Sequence, residues 1–172
     1  MSQLKVNSIV PAGGLPSGAS GGIIQIVSTT KTNTFTTTSS SMTDITGLSV
    51  AITPSSASSK ILVLTHCTGN GDGSTRVNFR IMRGSTAICI GDANESRPRT
   101  FGGIFAPNND NTTETISAVH LDSPATTSAT TYKIQCCNEA GLTAYVNRSD
   151  SYTNHATHNT GTSSITVMEV SA

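Results

Sequence analysis

The chain has 172 residues, and 10 Lys plus Arg balance 10 Asp plus Glu, so the formal net charge is zero; only 12% of residues are charged, 4% are aromatic, and Trp is absent. Without a basic excess to neutralise phosphates the composition argues against a nucleic-acid binder, and it lacks the Ala/Glu/Lys/Leu/Arg bias of helical bundles and the high charge of disordered chains. With 24 Ser and 28 Thr, it favours strands instead, because β-branched Thr suits a pleated, half-wet surface.

In chain order, residues 1–22 differ from the rest. Leu4, Val6, Ile9 and Val10 are followed by the Gly/Ser/Pro stretch Pro11 to Gly22, which has too little apolar surface to offset its own ordering entropy. This predicts an attachment arm and linker (1–22) ahead of a single β domain (23–172). No charged and then apolar leader opens the chain, so no secretory segment is expected, and Ile23 to Val27 is far too short to span a membrane.

Short strands are predicted over Ile23 to Thr29, Thr32 to Thr38 and Asp44 to Thr53, the last with a bulge at Gly47. Lys60 to Cys67 carries the densest apolar run and reads as a central strand, closed by an Asn70-Gly71-Asp72-Gly73 turn. In Arg76 to Arg83 the alternation puts Val77, Phe79 and Ile81 on one face and Arg76, Asn78, Arg80 and Met82 on the other. Ser85 to Ile90 follows; 93–111 is irregular. Thr112 to Leu121, Thr130 to Asn138, Leu142 to Asn147 and Ser163 to Val170 complete the set. Ile116, Ala118 and His120 oppose Thr115, Ser117, Val119 and Leu121 on the first of these. Nine or ten short strands and no amphipathic helix predict an antiparallel, jelly-roll-like β-sandwich. Its last strand should pair beside its first.

The chemistry that could reside on such a fold is sparse. Gly18-Ala19-Ser20-Gly21-Gly22 spells a nucleophile elbow, but that motif needs a strand before it and a helix after it, and here it lies in the linker. His155 and His158 have ligand spacing without the third and fourth ligands a metal site requires, so no metal and no cofactor are expected. Cys67, Cys89, Cys136 and Cys137 read as free, mostly buried thiols, and the Asn147-Arg148-Ser149 sequon as chance in an Asn/Ser/Thr-rich chain. Five of the six arginines fall between Arg76 and Arg99. Arg76, Arg80, Arg97 and Arg99 are therefore candidate subunit or ligand contacts, against structural pairing with Asp92, Glu95 or Asp110. Tyr145 and Tyr152, in or beside the loop 148–162, are the candidate aromatic platforms for a sugar.

The strings GLSVAITPSSASSKILVL (47–64), LDSPATTSATTYKIQ (121–135), AYVNRS (144–149) and SSITVMEV (163–170), with LKVNSIVPAGGLPSGASGGIIQIV (4–27), resemble virion surface proteins of aquatic, notably cyanobacterial, phages. That resemblance implies a non-enzymatic fibre or knob in the virion, assembled in the host cytoplasm. It implies a homotrimer attached through its N-terminal segment to other virion proteins, at tail or capsid, and contacting host glycan if on the tail. Neither nucleic-acid binding nor membrane insertion is expected. The alternative is a carbohydrate-binding module or lectin-like adhesin.

Overall fold

The computed structural model describes residues 22–73, 75–105, 111–151, 153–156 and 158–172. The proposed arm (Leu4, Val6, Ile9, Val10) and the elbow-like Ser20 lie outside the described residues. Among the described residues, eleven strands build two antiparallel sheets: β1 (Ile23–Lys31), β2 (Phe35–Thr37), β3 (Thr43–Ile52), β4 (Lys60–Gly71), β5 (Arg76–Arg83), β6 (Thr86–Ile88), β7 (Gly102–Phe105), β8 (Glu114–Asp122), β9 (Thr130–Cys137), β10 (Ala144–Val146) and β11 (Ser163–Val170). Sheet A runs β1-β11-β4-β8, with β10 and β2 continuing β11 and β1 past Gly69 to Gly71 of β4. Sheet B runs β3-β9-β5, and β6 and β7 share the outer edge of β5.

Three strand positions are thus broken in two by excursions at 32–34, 89–101 and 147–162. Counting each broken pair as one strand leaves eight positions, ordered 1-8-3-6 in one sheet and 2-7-4-5 in the other. This is the jelly-roll arrangement. As expected, the last strand pairs with the first, Ile26 opposite Met168 and Lys31 opposite Ser163.

Alternation fills the space between the sheets. Ile61, Val63, Ile165 and Val167 from sheet A meet Phe79, Ile81, Tyr132 and Ile134 from sheet B, all fully buried. The register shift between Asp44 and Ser49 surrounds Gly47, whose φ of +82° is a conformation that a residue with a Cβ adopts only at a cost. Two sequence expectations need correction. Asn70 and Gly71 belong to β4 rather than to a turn, because β10 pairs with 69–71 and removes the need for a hairpin there. The irregular stretch 93–111 also contains β7, a Gly-Gly-Ile-Phe strand that composition hides.

At the breaks, Asn147 does the joining. Fully buried at φ +62°, it donates through Nδ2 to the Lys31 and Asn33 carbonyls at 2.9 and 3.0 Å and accepts from Ser163 Oγ at 2.6 Å. Asn tolerates the left-handed conformation better than most residues. The sequon reading therefore has a structural answer: this side chain is consumed inside the fold.

Candidate interaction surfaces

The arginine segment does not converge. Arg76 and Arg80 share the outer face of β5 as expected, but each is occupied locally. The Arg76 guanidinium lies 4.7 Å from the centre of the Phe105 ring, and Arg80 donates to Gln135 Oε1 at 2.6 Å. Gln135 in turn donates to Asp44 at 2.7 Å, and Lys133 pairs with the same carboxylate at 2.6 Å. The Lys133 hydrogen bond, with that of Gln135, holds the Asp44 carboxyl below its usual range. Arg83 turns inward to Asp122 at 2.8 Å, a partner absent from the expected set of Asp92, Glu95 and Asp110, the last of which lies outside the described residues. Arg97 and Arg99 sit in the exposed 89–101 excursion, with Arg99 Nε bonded to the Gly91 carbonyl at 2.7 Å. A chain segment rich in one charge has been distributed over an outer face, an inner edge and a loop.

The second predicted group changes character too. Tyr145 is no platform: it is only 9% exposed, and Arg148 covers its ring at 4.2 Å. Tyr152 lies outside the described residues. The His155 and His158 rings approach to 5.3 Å beside a surface hollow of about 320 Å³ that Thr153, Asn154 and Thr160 also line. His158 Nδ1 is 3.1 Å from Thr153 Oγ1. Among the described residues, no group of three or more His, Cys, Asp or Glu gathers to hold a metal.

The surface that sequence reading missed is the outer face of sheet A. The registers place its outward side chains in rows across all four strands. One row is wholly aliphatic: Ile26, Met168, Leu62, Leu121. The next reads Ser28, Thr166, Leu64, Val119, and beyond it come Thr30, Ser164, His66 and Ser117. On the other side of the aliphatic row, Ile23 and the bulged Ile24 face Val170 and Lys60. Among the described residues, every exposed large hydrophobic belongs to the two edge strands of this sheet, from Ile24 at 47% to Val119 at 67%. The apolar halves of β1 and β8 point outward because the inward sites are taken. Gln25 must reach buried Glu169 (2.6 Å), and Asp122 must reach Arg83 and Tyr132. A period-two pattern reveals two faces but not which of them is inside.

No protein-family model matches the chain, and no curated protein matches it.

Proposed function

We propose that this chain is a non-enzymatic structural appendage of a phage particle, a jelly-roll-like knob held through the segment 1–22. The observation that carries the reading is the polarity of the fold. Gly22 and Ser171 bond to each other, Ser171 N to the Gly22 carbonyl at 2.9 Å and Gly22 N to Ser171 Oγ at 3.1 Å. Both ends of the domain therefore meet at one pole, where the β3–β4, β5–β6 and β8–β9 connections also lie. The β4–β5, β9–β10 and β10–β11 connections leave from the opposite pole. A rigid sandwich tethered at one end and presenting loops at the other suits a particle appendage. The resemblance of the quoted strands and turns to phage surface proteins supports the same reading.

The strongest polar groups of the domain serve its own construction, as Asn147, Glu169 and the Arg83–Asp122–Tyr132 group do. The lectin reading loses its best described platform with the covered ring of Tyr145. Gold-labelled antibody against the protein, viewed on particles purified from the source lysate, should decorate the tail or the capsid. Unlabelled particles in a lysate rich in the free protein would overturn the proposal. With particles labelled, loss of incorporation on deleting residues 1–21 would assign the attachment to that segment.

A further inference from the structure

The outer face of sheet A offers seventeen side chains, five from β1, with its bulge, and four from each of β11, β4 and β8. With strands ~4.8 Å apart and ~3.3 Å per residue, the patch measures roughly 19 by 26 Å. Its corrugated accessible area is on the order of the ~800 Å² per partner found in standard interfaces. Nine of these side chains are apolar and contiguous, from Ile23 and Ile24 across the aliphatic row to Leu64 and Val119, and contiguous exposed apolar surface marks interaction sites.

Three features select the occupant. First, charge is nearly absent: Lys60 stands alone at one corner, tied to Ser123 Oγ at 2.8 Å, and the chain as a whole is neutral. A strongly acidic or basic partner finds only Lys60 to pair with here, whereas two neutral copies meet without mutual repulsion. Second, apart from Lys60 and His66 the polar side chains of the face are Ser and Thr, without the run of Lys/Arg and the aromatic border of a membrane-facing surface. Third, the aliphatic row is complementary to itself. A two-fold axis lying in the face and along the strands brings Ile26 of one copy over Leu121 of the other, and Met168 over Leu62. An in-plane axis along the row brings each of the four onto its own equivalent. Either way aliphatic meets aliphatic, as an isologous contact requires, and the small hydroxyl residues alongside permit the ~10 Å approach of packed sheets.

We propose that the outer face of sheet A is the contact between two copies of this chain, centred on Ile26, Met168, Leu62 and Leu121. The contact does not depend on the virion reading; being two-fold, it makes a dimer by itself and not the homotrimer that the resemblance implies.

Sedimentation equilibrium of the full chain at tens of micromolar should give at least twice the 17.7 kDa chain mass. The double variant Ile26→Glu/Leu121→Glu places a carboxylate at both ends of the row and should reduce the mass to that of one chain. Ser49→Glu, on the outer face of sheet B, should leave the mass unchanged. A wild-type chain that sediments as a monomer overturns the proposal, as does a double variant that keeps its mass. Should the double variant not fold, the wild type still decides by footprinting. Met168 should be oxidised several-fold more slowly than Met42 at high concentration and lose that protection on dilution. Protection that survives dilution on a monomer would assign the face to residues 1–21 of the same chain. Protection that appears only with an added lysate would assign it to a different protein. Either result refutes the contact between copies.

Discussion

The Tyr132 hydroxyl donates to Asp122 Oδ2 at 2.7 Å, and this one bond ties β9 of sheet B to β8 at the edge of sheet A. Arg83 completes the clasp, with Nη1 at 2.8 and 3.0 Å from the two carboxylate oxygens. Asp122 is buried, so its carboxylate oxygens need both partners in place of water. Tyr132→Phe should lower stability by about 1 kcal/mol, the net worth of one hydrogen bond. Asp122→Ala strands both the guanidinium and the hydroxyl. It should cost about 2 to 3 kcal/mol, less than breaking a fully buried pair because the Arg83 side chain is 27% exposed. Urea denaturation of the two variants checks the order.

The same tyrosine predicts an alkaline limit. Burial, reinforced by the neighbouring Asp122 carboxylate, pushes the Tyr132 hydroxyl well above its ordinary value of 10.0, and burial pushes the Cys67 and Cys136 thiols from 9.0 up to about 12. The unfolded chain therefore releases these protons first. Their contribution to stability is intact below pH 9 and is lost as pH rises through 9 to 12, each group adding up to about 1.4 kcal/mol per pH unit. Melting temperature recorded from pH 8 to 11 should fall progressively, and Tyr132→Phe should flatten the part of the decline above pH 10.

Glu169 sets the acid side. Burial alone would raise its carboxyl, but hydrogen bonds from Gln25 Nε2 and from the Ser55 amide and hydroxyl, at 2.6 to 2.7 Å, outweigh burial and hold it at about 2 against the usual 4.5. The folded state therefore binds the proton less readily than the unfolded one. The stabilisation is present above pH 4.5 and is lost as pH falls from 4.5 to 2. Glu169→Gln should cost roughly 1 to 3 kcal/mol at pH 7, because its amide offers donors where Ser55 and Gln25 also donate. The stability difference between variant and wild type should shrink on acidification to pH 3, followed by chemical denaturation.

Asn147 separates a side-chain role from a backbone one. Asn147→Gly keeps the left-handed backbone cheap but strands the Lys31 and Asn33 carbonyls and the Ser163 hydroxyl; a loss of about 3 kcal/mol is expected. Asn147→Ala adds the cost of a Cβ at φ +62°, about 1 kcal/mol more. Equal stabilities for the two variants would show that the backbone relaxes.

The cysteines give a count. Cys67, Cys136 and Cys137 are buried and Cys89 is half-buried; all four are free thiols. A thiol reagent should titrate one group per folded chain quickly and the other three only in denaturant. A second fast thiol would mean that the cover over Cys137 at the end of β9 opens.

What the sequence determines by itself is the class of the domain and most of its strands. Period-two segments such as Arg76–Arg83 and Ser163–Val170 satisfy their backbone in sheets, and Pro and Gly clusters separate such segments. It also anticipated that the last strand would lie on the first. Tertiary structure decided which face of each strand is inside. Ile24 and Ile26 alternate with Gln25 and Val27, and nothing local says that Gln25 turns inward to Glu169 while two isoleucines are left to water. Tertiary structure also dispersed the arginines: Arg83, three residues after Arg80 on β5, turns to the opposite face, and Arg97 and Arg99 lie beyond the strand in the 89–101 excursion. It continued β4 through Asn70-Gly71, where a partner strand arriving from 144–146 outweighs turn propensity. Alternation is a local property, but burial depends on what the other sheet, or another copy of the chain, brings to the face.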